Sequence, residues 1–227
     1  MSTPTRFTQG VTNAAPGTAL GRFVDTDPSR THMWFDDFDK YTAGDWTVTA
    51  VGAGTSAISN ADNGVLLLTN AAADDDSRFL QWTRETYRFA AGKRLWFKAR
   101  IQISDATQSD MVLGLQITDT TPLAVSDGVY FRKDDGDANL DFVVIKDSTA
   151  TTATAASTIT SATWTELAFF YDGVSRITAF KDDVAIAELA TTNLVDDEEL
   201  TISFGIQNGE AVAKTMSIDY IMIAKER

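Results

Sequence analysis

Apolar and polar residues alternate two by two along most of this chain, and the clearest stretch is Lys93–Ile103, KRLWFKARIQI. Leu95, Phe97, Ala99, Ile101 and Ile103 fall on one side, and Arg94, Trp96, Lys98, Arg100 and Gln102 on the other. A period of two places successive side chains on opposite faces of a strand, so the first set faces a core. The same reading predicts strands at Trp46–Val51, Gly64–Thr69, Met111–Thr118, Gly128–Arg132, Leu140–Lys146, Thr165–Tyr171, Arg176–Phe180, Val184–Leu189, Leu200–Gln207 and Ala213–Ala224. Turn residues such as Asp62-Asn63-Gly64, Asp135-Gly136-Asp137, Asp172-Gly173 and Asn208-Gly209 punctuate them. No segment carries a convincing helical period, and Ala71–Phe79 is too short and too rich in Asp for one. Residues 148–163, a run of Thr and Ala, read as a plain strand pair or a surface loop.

Short strands at this spacing predict an all-β, two-sheet antiparallel jelly-roll sandwich over residues 31–227. The expected core includes Leu95, Phe97, Ile101, Leu113, Leu115, Phe142, Val144, Leu167, Phe169, Phe204, Ile206, Ile218 and Tyr220. Residues 164–187, WTELAFFYDGVSRITAFKDDVAIA, and the closing SIDYIMIAKER resemble the back half of a concanavalin A-like (laminin-G-like) sandwich. Such folds usually show a Trp-led strand, an Asp-Gly turn, a strand ending in an Asp-containing turn and a final Asp-Tyr strand.

Residues 1–30 break the pattern. They hold Pro4, Pro16 and Pro28, three of the four prolines, and Gly10, Gly17 and Gly21. No strand or helix period survives there, so the segment reads as an extended N-terminal arm that either trails free or orders on a partner. Phe7, Val11, Leu20 and Phe23 are its candidate anchors.

Composition narrows the chemistry. The 227 residues suit one large all-β domain, and 44% of them are hydrophobic, enough for a core. No apolar run reaches the length of a membrane-spanning helix, and the first residues lack the apolar stretch of a secretory signal. There is no cysteine, which removes disulfides and thiolate chemistry and fits assembly in a reducing cytoplasm. The net charge of −13 repels phosphate, so no nucleic-acid partner is expected. The acidity otherwise reads as solubility or as adhesion to a basic protein surface.

Catalytic candidates are few. The single histidine, His32, lies beside the aromatic run Trp34, Phe35 and Phe38 and reads as a packing or surface residue. The acidic clusters at 36–39, 74–76, 134–137, 182–183 and 196–199 mostly flank turns, where Asp caps backbone groups. Laminarinase-like hydrolases of this fold carry Glu-x-Asp-x-x-Glu on one strand, which places their two carboxyls at glycosidase spacing. The motif is absent here. Lys133-Asp134-Asp135-Gly136-Asp137 has oxygen ligands suited to calcium but not their usual spacing, and reads equally as a hairpin turn. Trp82, Tyr87 and Trp96 are candidate aromatic platforms for a glycan. Trp96, on the polar face of its strand, suits a sugar or a subunit contact, with packing the stronger reading. No cofactor is expected.

The chain is also similar over nearly its whole length to a family of tailed-bacteriophage virion proteins encoded beside the major capsid protein. The segments that carry this are PTRFTQGV, ALGRF, DPSRTHMWFDDFDKYTAGDWT, GKRLWFKARIQISDATQSDMVLGLQITDTTPL, DGVYFRKDDG and LTISFGIQNGEAVAKTMSIDYIMIAKER. The resemblance implies a capsid decoration (cement) protein on the outer surface of a virion, made in the host cytoplasm and bound to the phage major capsid protein. It assigns no catalytic residue. A homotrimer is the expected assembly, because three arms engaging at one junction multiply affinity. A lectin-like head-fibre or tail module for host attachment is the alternative.

Overall fold

The computed structural model describes residues 30–61 and 64–227. The arm anchors Phe7, Val11, Leu20 and Phe23 lie outside the described residues, as do Asp62 and Asn63 of the expected turn. Fifteen strands and three short 3-10 turns make up the described chain, with no α-helix among them.

The strands are β1 (Thr31–Asp36), β2 (Trp46–Val51), β3 (Thr55–Ile58), β4 (Leu66–Thr69), β5 (Ser77–Trp82), β6 (Leu95–Ile103), β7 (Ser109–Gln116) and β8 (Gly128–Lys133). They continue as β9 (Asn139–Lys146), β10 (Thr149–Thr158), β11 (Thr165–Tyr171), β12 (Arg176–Lys181), β13 (Val184–Ala190), β14 (Thr201–Asn208) and β15 (Thr215–Glu226). A seven-stranded sheet runs β10-β9-β8-β7-β14-β5-β2, and an eight-stranded sheet runs β13-β12-β11-β6-β15-β4-β3 with β1 also on β15. Every pairing is antiparallel. β15 is long enough to serve two partners on one edge, β4 along Thr215–Ile218 and β1 along Ile221–Glu226.

The alternation of β6 holds as expected: Leu95, Phe97, Ala99, Ile101 and Ile103 are buried and their neighbours half-buried. Between the sheets, Phe97 stacks on Phe169 at 4.9 Å, and Phe131 and Phe142 pack beside them at 6.4 and 5.8 Å from Phe169. Twelve of the thirteen expected core residues are buried, and Tyr220 is the exception. A bulge between Ile218 and Tyr220 shifts the register of β15 against β6. Ile221 and Ile223 thereby take the inward positions, and Tyr220 turns to the outer face.

The hairpins follow local chemistry. Asp172 Oδ1 accepts the backbone N–H groups of Val174, Ser175 and Arg176 at 2.7–3.1 Å, while Gly173 takes φ +80°. The two-residue turns Asp147-Ser148 and Asp182-Asp183 have positive φ at both positions, the geometry that matches strand twist. Residues 148–163, expected as a strand pair or loop, instead supply the single edge strand β10.

Candidate functional site

The outer face of the seven-stranded sheet is filled. Gly205 and Gly114 leave gaps in the sheet surface, and aromatic side chains occupy them. A Cβ on Gly205 would stand 2.4 Å from Phe79 Cδ1, and one on Gly114 would stand 2.7 Å from Tyr130 Cβ. Phe79, Val112, Tyr130, Val143 and Ile145 form a second apolar cluster there with Val125, and Ile117 and Leu123 pack against it. Burial raises the pKa of the Tyr130 hydroxyl.

The loop after β7 is pinned across this face by side-chain amides. Gln81 Nε2 donates to Ile117 O at 2.9 Å, and Gln81 Oε1 accepts the Asp119 N–H at 3.0 Å. Gln116 Nε2 donates to Pro122 O at 3.0 Å, and Ser203 Oγ donates to Gln116 Oε1 at 2.6 Å. These buried amides are satisfied by the loop and by Ser203, so they hold the loop closed.

The outer face of the eight-stranded sheet is different. One cross-strand row runs Met33–Ala224–Trp96–Phe170–Thr178, and the next Phe35–Met222–Lys98–Ala168–Phe180. Met33 and Phe35 are 52% and 53% exposed. The Trp96 and Phe170 rings lie 5.1 Å apart, and the Arg94 guanidinium sits 5.5 Å over Trp96. Phe35 and Tyr220 lie 6.1 Å apart.

Charges run through these rows as well as around them, with Lys98 in the middle of the second. Lys98 Nζ is 2.5 Å from Glu166 and 3.2 Å from Asp183, and Tyr220 donates its hydroxyl to Glu166. Burial opposes the charge of Lys98, yet the two carboxylates hold its pKa above the ordinary lysine value. Burial and then the Glu166 carboxylate push the Tyr220 hydroxyl well up. Arg100 pairs with Asp219 at 2.5 Å and lies 4.8 Å over the Trp164 ring. Apolar side chains and ion pairs are thus mixed on this face.

The sequence candidates separate in space. Trp96 lies on the first of these rows. Trp82 is half-buried at the core margin, with Trp46 at 5.1 Å and Trp34 at 5.5 Å. Tyr87 is buried, stacked against His32 at 5.1 Å, and its hydroxyl is pushed well up by burial. Burial and then the nearby Arg227 and Lys225 lower the pKa of His32.

The carboxylates of the turn after β8 cap backbone and pair with Arg132. Asp137 accepts from Asn139 N at 2.7 Å, and Asp110 accepts from Asp135 N at 2.8 Å. Arg132 lies 3.0 Å from Asp134 and 3.6 Å from Asp141. Lys133 points into the sandwich, donates to Ser109 O and Asp134 O, and has its pKa lowered by burial. Among the described residues no three His, Cys, Asp or Glu side chains are grouped to hold a metal ion.

Two polar centres escaped the sequence reading. Lys214, buried, bridges Asp105 at 2.8 Å and Glu210 at 2.5 Å. Asn70 Nδ2 donates to Asp76 O, Ile206 O and Asn208 Oδ1 at 3.0–3.1 Å, which ties both sheets together at one end. Only the glutamate four residues before Lys214 is a local signal; the rest depends on distant pairing.

No family model matches the chain, and no curated protein matches it. Solved structures do. An endo-1,3-β-glucanase from Streptomyces sioyaensis superposes with a TM-score of 0.62 at 13% identity, covering 88% of this chain and 98% of its own. Peanut lectin superposes at 0.58 and 11% identity, covering 86% and 97%. A protein of unknown function from Shewanella oneidensis superposes at 0.60 and 17% identity, covering 87% of each chain. The fold is a concanavalin A-like jelly-roll sandwich, an architecture that enzymes and non-enzymes share.

Proposed function

We propose that this chain is a capsid decoration (cement) protein of a tailed bacteriophage, which binds the outer surface of the major capsid protein shell and turns over no substrate. The observation that carries the reading is the outer face of the eight-stranded sheet, where the exposed Met33 and Phe35 and the Trp96–Phe170 pair lie among ion pairs. Covering Met33 and Phe35 alone contributes about 1 kcal/mol each, because each buries roughly half a side chain more. The full-length resemblance to virion proteins supports the same reading. So does the filled face of the other sheet, where the Gln81 and Gln116 amides are engaged by the chain's own loop. Three copies around one junction of the shell are part of the proposal, since linked contacts multiply affinity without new chemistry.

Heads assembled without the protein test this. They form, but release DNA at a lower temperature than heads that carry it, because a clamp bound only to the intact shell raises the cost of parting its subunits. Equal heat resistance with and without the protein refutes the reading.

The second reading is a lectin-like head-fibre or tail module. The Trp96–Phe170 pair with Arg94 over the ring favours it, as an aromatic surface able to stack on a sugar. Saturable binding of the pure protein to host glycans, lost in Trp96→Ala, selects this reading over the first.

A further inference from the structure

The seven-stranded sheet ends on β10, and among the described residues no strand pairs with its outer edge. Exposed edges are ordinarily protected by lysine, proline or a bulge, because their free N–H and C=O groups recruit strands. β10 and its flanks, residues 148–163, contain no charged residue and no proline. A bulge sets Thr154, Ala155 and Ala156 opposite Asp141 alone, but Thr149–Ala153 remain in regular register with Lys146–Phe142. Five residues in regular register are therefore presented at the edge with small side chains; Thr151, Thr152 and Ala153 are half-buried, and Thr151 Oγ1 accepts from Asn193 Nδ2 at 2.9 Å.

Beside the bulge lies a hollow of about 340 Å³ lined by Asp134, Asp137, Asn139, Asp141, Thr154 and Ala155. Its carboxylates are partly used: Arg132 pairs with Asp134 and Asp141, Asp141 accepts the Ala155 N–H at 2.8 Å, and Asp137 caps Asn139. Three carboxylates against one guanidinium still leave two negative charges in a recess at the end of the free edge. Lys133 faces the opposite way into the core, and the Lys181 ammonium donates at 2.7 Å to the carbonyl of Thr158, the residue paired with Asn139.

We propose that the β10 edge accepts an extended segment of another protein, which adds a strand along Thr149–Ala153 and places a basic side chain in the hollow. Backbone pairing supplies affinity in such strand addition, and a pocket for one side chain supplies selectivity. A second copy of this chain fits less well. It brings a net charge of −13 and its own acidic hollow, setting like charge against like. The inference goes beyond the shell reading and does not depend on it, since any partner with such a segment qualifies.

The test uses the full chain, labelled with nitrogen-15, and two blocked peptides that alternate Thr and Val over six residues. One begins with Arg and the other with Glu. The Arg peptide is expected to shift the amide signals of Thr149–Ala153 and Asn139, with a dissociation constant at least about tenfold below that of the Glu peptide, the scale of a charge-assisted contact. Asp134→Asn with Asp137→Asn removes two charges from the hollow, keeps side-chain acceptors at both positions, and should abolish the difference between the peptides. The proposal is overturned if the Arg peptide leaves Thr149–Ala153 unshifted, or if the two peptides bind the unmodified chain equally. Self-association of the chain through these same amides overturns it as well. Each outcome is separable from the heat test of the shell reading, which involves no peptide.

Discussion

Gly205→Ala probes the filled face most sharply. The new Cβ would stand 2.4 Å from Phe79 Cδ1, 2.5 Å from Arg78 O and 2.5 Å from Phe79 Cα. The ring can swing away, but the backbone of β5 is held by pairing with β14 on one side and β2 on the other. Two effects oppose each other. Replacing glycine restricts the unfolded chain, which stabilises by about 0.4–1 kcal/mol where the native backbone tolerates a side chain. Overpacking against a backbone that cannot retreat costs about 1–3 kcal/mol. The second should win, for a net loss of about 1–2 kcal/mol and a fall in melting temperature of roughly 2–8 °C at this chain length. Phe79→Ala costs about 3–5 kcal/mol alone, but in the double variant part of the Gly205→Ala penalty should vanish, a coupling of at least about 0.5 kcal/mol. Urea unfolding followed by circular dichroism measures all three variants. A Gly205→Ala protein as stable as the parent, or strict additivity with Phe79→Ala, would show that the ring does not lie over the glycine.

Other consequences are as direct. Phe169→Ala, at the centre of the Phe97, Phe131 and Phe142 cluster, should lower stability by about 3–5 kcal/mol in the same urea assay. The Lys214 ammonium holds the Asp105 carboxyl well below its ordinary range. A depressed folded-state value contributes stability above the unfolded pKa, about 3.9, and loses it as pH falls toward the folded value. Lys214→Met should therefore flatten the decline in urea midpoint between about pH 4 and pH 2. Deleting residues 2–28 should leave a folded sandwich with β-type circular dichroism that no longer binds expanded shells; loss of folding, or undiminished binding, counts against the arm.

The strands with one buried face were readable in sequence because alternation records burial directly. β6 and β11 are examples. β5 was missed because its residues, Ser-Arg-Phe-Leu-Gln-Trp, carry no period of two: Phe79 and Leu80 are adjacent and both buried, and the buried Ser77 and Gln81 are polar. β3, only four residues long with one large apolar side chain, and β1, folded against the tail of β15, lacked the pattern for other reasons. Tyr220 was misplaced by a bulge that no local signal announces. Trp96 could be set on the outer face of its strand from sequence, but not beside Phe170, which is 74 residues away and adjacent only through the register of β6 and β11. The filled face was invisible for the same reason. Gln81, Gln116 and Ser203 lie on three strands, and their amide network exists only once β5, β14 and β7 are side by side.

The number of copies on a purified virion tests the central claim most directly. A mass-calibrated gel of intact particles, read against the major capsid protein, supplies it. A decoration protein occurs in a fixed ratio to the shell subunit, hundreds of copies per particle, and the ratio falls to zero in heads made without it. A handful of copies per particle, or none, would contradict the account and leave attachment or another task for this sandwich.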